Sequence, residues 1–196
     1  ITGFFLQSKF VDFDNDGLRD IIITNGFPKD LTDHDFIAFR EKAFAYKSKR
    51  EVLNAIPQVK LKNYAFRNNG DITFENVTND WGLTAQSFSN AAAYADLDND
   101  GDLDVVISNI NDKAFVYQNK AVEKKDNRSG FLSVKLMGDS MNRDGIGTWV
   151  EIHYRGKRQV IEHTPYRGFL STIHGQLHFG LGDVALLDSV VIIWPD

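Results

Sequence analysis

An acidic nonapeptide occurs twice in this chain. Residues 12–20 read DFDNDGLRD and residues 96–104 read DLDNDGDLD, 84 positions apart. Nine of the 27 Asp and Glu residues fall in these two windows. Over the wider stretches 10–25 and 94–109, eight of sixteen positions are identical, and most of the rest are conservative, such as Ile21/Val105 and Thr24/Ser108. An internal repeat of this kind indicates a fold assembled from copies of one supersecondary unit. Carboxylates crowded into one loop also repel one another, so the folded state must offset that repulsion.

Strand-like sequence flanks both windows. Phe4–Val11 and Ala91–Ala95 precede them. Asp20–Asn25 (DIIITN) and Asp104–Asn109 (DVVISN) follow, as short β-branched runs bounded by turn residues. Each acidic loop is therefore predicted to join two strands. Further strands are predicted over 64–67, 73–77 and 114–118, with Asn68–Asp71 as a hairpin turn.

A four-stranded blade takes roughly 40–50 residues, so an 84-residue period carries an excess. The excess lies at about 31–57 and reads as two short helices broken near Lys47–Arg50. Thr32-x-x-Asp35 and Ser48-x-x-Glu51 have the form of capping boxes, and Pro57 follows the last turn. Phe36, Phe39, Ala43 and Tyr46 have helical spacing and are expected to pack on the sheet. Lys47, Lys49 and Arg50 read as a solvated face.

The charged stretch Lys120–Gly130 has no apolar period and reads as a linker. Beyond it Leu132, Val134 and Leu136 alternate. Trp149–Tyr154 and Lys157–His163 form a predicted hairpin around Arg155-Gly156, and Leu177–Phe179 and Val190–Trp194 add strands. The expected fold class is mainly β. Two β-propeller-type blades with a short helical insert occupy 1–120 as a partial propeller, a linker covers 121–130, and a small β-sandwich or barrel module occupies 131–196.

Asp at positions 1, 3 and 5 of a loop, then Gly, then Asp at position 9, is the arrangement of a calcium loop. Alternation turns the first three side chains toward one centre, and Gly17 and Gly101 allow the sharp turn. The candidate ligands are Asp12, Asp14, Asp16, the carbonyl of Leu18 and Asp20 in the first loop. In the second they are Asp96, Asp98, Asp100, the carbonyl of Asp102 and Asp104. Hard carboxylate oxygens without His or Cys favour Ca²⁺ over zinc or copper. Magnesium demands a tighter octahedron and fits less well. Two Ca²⁺ ions would bring the net charge from −5 to about −1. Neither loop is an EF-hand, because the twelfth position is Ile23 or Ile107 in a strand-like run rather than Glu ahead of a helix. The alternative is an Asp/Asn-rich turn that holds no ion.

The remaining composition excludes several classes. Hydrophobic residues make up 42% of the chain and aromatics 12%, which supports a buried core and rules out a disordered chain. The mild acidity gives no reason to expect a nucleic-acid partner. There is no cysteine, so disulfides and thiol catalysis are excluded. The longest apolar runs, such as Val190–Trp194, are too short to be a transmembrane segment.

DxDxDGxxD between strands, with Ala91-Ala-Ala-Tyr-Ala-Asp96 before the second copy, resembles the FG-GAP/VCBS repeat of integrin-type β-propellers. Phe66–Thr78 (FRNNGDITFENVT) resembles the connecting strands of such a blade. The stretches 142–147 (NRDGIG), 168–171 (GFLS), 177–182 (LHFGLG) and 194–196 (WPD) are similar to the ASPIC/UnbV module. That module follows these repeats in secreted proteins of the cartilage acidic protein type and in bacterial surface proteins. The resemblance implies a calcium-binding fragment, extracellular or at the outer cell surface, with two Ca²⁺ sites. It would serve as a binding or adhesion scaffold for a protein or glycan. A plain blade lacks the helical insert. Two blades cannot close a propeller, so further blades of a parent protein are expected as neighbours and the C-terminal module is read as truncated.

An enzyme is the competing reading, either a hydrolase or an accessory biosynthetic enzyme. His153, His163, His174 and His178 lie in the last 44 residues. Such an activity would need His163, His174 or His178 to converge with Arg143 or Arg167. His153 and His163 are expected on the hairpin face opposite Val150, Ile152 and Tyr154. No GxSxG, HExxH or P-loop occurs. Gly180-x-Gly182-x-x-Ala185 spells a dinucleotide fingerprint without the βαβ context, and reads as turn glycines. Ser140-x-Asn142-x-Asp144-Gly145 imitates half a calcium loop, but Thr148 stands at its ninth position.

Overall fold

The computed structural model describes residues 7–26, 33–124, 130–166, 168, 171–173 and 175–195. Two strands, β1 (Gln7–Val11) and β2 (Asp20–Thr24), form the first hairpin. The helices α1 (His34–Ala43) and α2 (Lys49–Asn54) follow, then β3 (Leu61–Lys62), β4 (Tyr64–Asn68) and β5 (Phe74–Asn76). Strands β1-β2-β4-β5 make one antiparallel four-stranded sheet, a complete blade. In β2, Asp20, Ile22 and Thr24 are buried on one face while Ile21 and Ile23 are half-buried on the other. That pattern follows from its place between β1 and β4, where β-branched side chains pack well on both faces.

The second copy begins with β6 (Gln86–Ser87), which pairs with β3, and continues as β7 (Ser89–Ala95), β8 (Asp104–Asn109) and β9 (Phe115–Tyr117). Strands β7-β8-β9 form a three-stranded antiparallel sheet. The two acidic hairpins share one register: Val11 faces Asp20 in the first, and Ala95 faces Asp104 in the second. One core joins the copies. Val11, Phe13, Ile22, Ala65 and Val77 of the first blade pack with Leu83, Ala92, Leu103, Val105 and Ile107. Phe13 sets its ring edge-on to Trp81 at 6.1 Å and to Tyr94 at 6.3 Å. Such contacts add stabilisation beyond area burial.

The helical insert differs from expectation in two respects. Phe36, Ala43, Val52 and Ile56, flanked by Phe39, close on one another in a core of their own rather than on the sheet. Tyr46 is exposed, because α1 caps at Phe44 and the helical period does not continue to it. The N-cap of α1 is Asp33, whose carboxylate accepts from Phe36 N at 2.7 Å; Thr32 lies outside the described residues. At α2 the capping box forms as expected, with Ser48 and Glu51 satisfying each other's backbone N–H groups.

The expected linker begins with a helical turn, and its residues 125–129 lie outside the described residues. Asn119 Oδ1 accepts from Lys120 N and Ala121 N and starts the single turn α3 (Ala121–Lys124). The C-terminal unit consists of β10 (Gly130–Val134), β11 (Trp149–Tyr154), β12 (Lys157–Glu162), β13 (Leu177–Gly182) and β14 (Ser189–Ile193). Strands β10-β13 make one sheet and β12-β11-β14 another. Their inner faces meet as a small sandwich. Leu132, Val134, Leu177, Phe179 and Leu181 come from one side, and Val150, Ile152, Tyr154 and Ile161 from the other. Among the described residues the chain is mainly β, in small sheets without a closed barrel.

Candidate metal centres

Each acidic loop is a strand-to-strand connection whose shape its own side chains fix. In the first, Asn15 and Gly17 take left-handed backbone conformations (φ 58° and 88°), and Asn99 and Gly101 take them in the second (φ 62° and 95°). Asn and Gly tolerate this region, and the folded chain reverses there. Asp12 accepts from Gly17 N at 2.8 Å, and Asp96 from Gly101 N at 3.2 Å. Asp16 accepts from Leu18 N at 2.8 Å, and Asp100 from Asp102 N at 3.0 Å. The ninth residue closes each loop. Asp20 accepts from Phe13 N and Asn68 N, both at 3.0 Å, while Asp104 accepts from Leu97 N at 3.0 Å and Asn119 N at 2.8 Å. The repeat in sequence is therefore largely a repeat in hydrogen bonding; the copies differ at Asp16 N, which donates to Asp12 Oδ1, whereas Asp100 N donates to Asp98.

Carboxylates converge in both loops. Asp12, Asp14 and Asp20 bring one oxygen each within 4.8 Å of one another, and so do Asp96, Asp98 and Asp100. Calcium takes oxygens at about 2.3–2.6 Å, so ligands on opposite sides of one ion stand about 5 Å apart, and both trios fit that span. Asp96 Oδ1 is buried without a hydrogen-bond partner, which a bound cation would satisfy. The other expected ligands are placed differently. Asp16 is exposed and stands outside the first trio. Asp104 is buried and stands outside the second, with both oxygens engaged by backbone donors. Leu18 is half-buried at its loop's seventh position. Asp102, at the equivalent place, is fully buried and turns Oδ2 toward Val122 N.

The buried loop carboxyls are shifted toward their neutral forms. Burial is the main cause that pushes the Asp12 carboxyl up to about 8 and Asp20 up to about 7, with neighbouring loop carboxylates adding to it. Burial likewise pushes Asp102 up to about 6. A divalent ion would compensate this clustered negative charge and restore the ionised forms.

The C-terminal sandwich lies directly on the loops, which the sequence did not foretell. A Cβ on Gly180 would stand 2.0 Å from Asp12 Oδ2 and 2.6 Å from Asn15 Cα. Gly180 is thus a residue of strand β13 pressed against the first loop, whereas Gly182 ends that strand with a left-handed backbone (φ 59°) in the turn that Val184 N closes on the Leu181 carbonyl, as a turn glycine. Phe131 covers Gly101, where an added Cβ would stand 2.0 Å from its ring. The Phe131 ring also stacks on His178 with centroids 5.6 Å apart. Arg19 reaches across from the first loop to the Val160 carbonyl at 2.7 Å. Only Gly180 and Gly182 left a trace in the sequence, as glycines within an otherwise apolar strand.

The histidines take separate partners. His178 Nε2 lies 2.7 Å from Asn15 Oδ1. Because Asn15 Nδ2 donates to the Gly101 carbonyl at 2.8 Å, the Asn15 oxygen must face His178, and the imidazole donates. Burial holds the His178 pKa below its usual value, against the charge of Asp96. His153 lies beside Glu151 at 3.6 Å. The β11–β12 register puts His163 opposite Thr148, on the face of Val150 and Ile161 and away from His153. Arg143 has its carbonyl bonded to Gly138 N. His174 and Arg167 lie outside the described residues.

The family model of an FG-GAP-like repeat matches residues 48–107, which include the second acidic loop, and that of ASPIC and UnbV matches residues 138–196. The first loop precedes the matched stretch and is its structural copy. Strand β10 precedes the second match and completes its sandwich. No curated protein matches the chain.

Proposed function

Because the chain carries an FG-GAP-like repeat and an ASPIC and UnbV domain, we propose that it is a calcium-stabilised, β-propeller-like binding scaffold. It works outside the cell or on the outer cell surface and presents its exposed loops and C-terminal sandwich to a protein or glycan. We read it as a binding protein rather than an enzyme. A carboxylate trio in each loop supports the calcium reading most strongly: three oxygens within 4.8 Å in each of two hairpins of the same register. Asp12, Asp14 and Asp20 would hold one ion, and Asp96, Asp98 and Asp100 the other. Calcium near millimolar outside the cell saturates even sites with dissociation constants of about 10⁻⁴ M. No helix among the described residues is long and apolar enough to cross a membrane.

The ion would have a structural role. It would hold the hairpin β1–β2 or β7–β8 closed at the end where the carboxylates meet, and so fix the strands that carry Val11, Ile22, Val105 and Ile107 into the shared core. Calorimetric titration of the chelator-stripped chain with Ca²⁺ tests the proposal. Two ions per chain are expected, falling to one in Asp14→Ala and in Asp98→Ala. Absence of binding to the wild-type chain would refute it.

A further inference from the structure

Asn15 belongs to the first acidic loop, yet all its polar contacts lead out of that loop. The residue is fully buried. Its Nδ2 donates to the Gly101 carbonyl of the second loop, its Oδ1 accepts from His178 of β13, and its carbonyl accepts from Gly182 N at 2.7 Å. Phe131 closes the circuit, covering Gly101 and stacking on His178. Gly17 adds a further contact: a Cβ there would stand 3.1 Å from the Tyr154 hydroxyl and 3.2 Å from Gln159. Asn15 sits between Asp14 and Asp16, so the first loop cannot change shape without moving it.

We infer that the C-terminal domain is a clamp on the acidic loops: its docking through His178 and β13 strengthens calcium binding, and calcium in turn fixes the domain in place and links the two ion sites. The inference rests on the calcium reading above. Without an ion the crowding of Asp12, Asp14 and Asp20 within 4.8 Å disfavours the closed loop, and opening would carry Asn15 away from His178, Gly182 and Gly101. In the docked state Gly180 and Gly182 hold Asp12 and Asn15 in the closed shape, so less ordering remains for the ion to bring about. Linkage makes the effect reciprocal: whatever factor docking adds to calcium affinity, calcium adds to docking.

Two readouts on the whole chain test this. Calcium affinity is measured by calorimetry for wild type, His178→Ala and His178→Gln. Backbone hydrogen exchange is followed by mass spectrometry over 177–182, with the α1–α2 insert as internal reference. In the wild type, Ca²⁺ is expected to slow exchange over 177–182 more than over the insert, although that segment supplies no carboxylate. His178→Ala is expected to weaken calcium binding about tenfold, within the usual range of coupling between sites, and His178→Gln, which keeps a donor, to recover part of it. If Ca²⁺ binds the wild type while exchange over 177–182 and the affinity of His178→Ala stay unchanged, the clamp is refuted and the calcium scaffold stands. If the wild type binds no Ca²⁺, both fail. Should His178→Ala not fold, the wild-type exchange comparison decides alone.

Discussion

The two loops carry the same asparagine in opposite surroundings, which sets up a controlled mutation. Asn15 and Asn99 both hold left-handed backbones, at φ 58° and 62°. Asn15 is fully buried and bridges Gly101 and His178, whereas Asn99 is exposed. Asn→Ala at either position incurs the left-handed backbone penalty, about 1 kcal/mol. At position 15 it also strands the Gly101 carbonyl and the His178 N–H, at about 1–3 kcal/mol each. Asn15→Ala should therefore lose about 3–7 kcal/mol and Asn99→Ala about 1 kcal/mol. Asn15→Gly, which keeps the backbone freedom, should fall between them. Urea denaturation at fixed Ca²⁺, followed by the fluorescence of the chain's three tryptophans, measures all three. Equal losses for Asn15→Ala and Asn99→Ala, within about 0.5 kcal/mol, would refute the bridging role of Asn15.

Three further outcomes are expected. Gly180→Ala puts a methyl 2.0 Å from Asp12 Oδ2 and 2.6 Å from Asn15 Cα, so strand and loop must separate; a loss of about 1–3 kcal/mol in thermal unfolding is expected, and an unchanged midpoint would count against the tight docking. In metal-free buffer, Asp12 and Asp20 are raised to about 8 and 7, so between roughly pH 4 and 8 the folded chain holds more protons than the unfolded one. Stability then falls as pH rises, and saturating Ca²⁺ should reverse the trend; melting curves at pH 5 and 8 distinguish the two. Ser48→Ala removes the capping box of α2 and should cost about 1 kcal/mol; faster hydrogen exchange in α2 with no change in β7–β8 would report it.

How much of this was legible in the sequence follows from what is local. Asp spacing, the Asn and Gly at left-handed positions, and β-branched runs between turn residues encode each hairpin within about fifteen residues. The loops, their register and the capping box of α2 were therefore readable. Tyr46 misled because helical period says nothing of where a helix stops; α1 caps at Phe44. The docking of the C-terminal sandwich was not readable. Asn15 meets His178 across 163 positions, and no periodicity links them. Gly180 shows the same limit: a glycine in a strand marks close approach, but the letters do not name what approaches. Asn15 and Asn99 make the point most directly, since identical nonapeptide positions became a buried bridge in one copy and a surface residue in the other.

Thermal unfolding in excess Ca²⁺ and in EGTA, for the wild-type chain beside Asp14→Ala and Asp98→Ala, tests the calcium scaffold most directly. Saturation at ten times the dissociation constant stabilises by about 1.4 kcal/mol per site, and two sites in a domain of this size raise the melting temperature by about 5–10 °C. The account predicts that rise in the wild type and about half of it in each variant. A melting temperature indifferent to Ca²⁺ in all three proteins would contradict it.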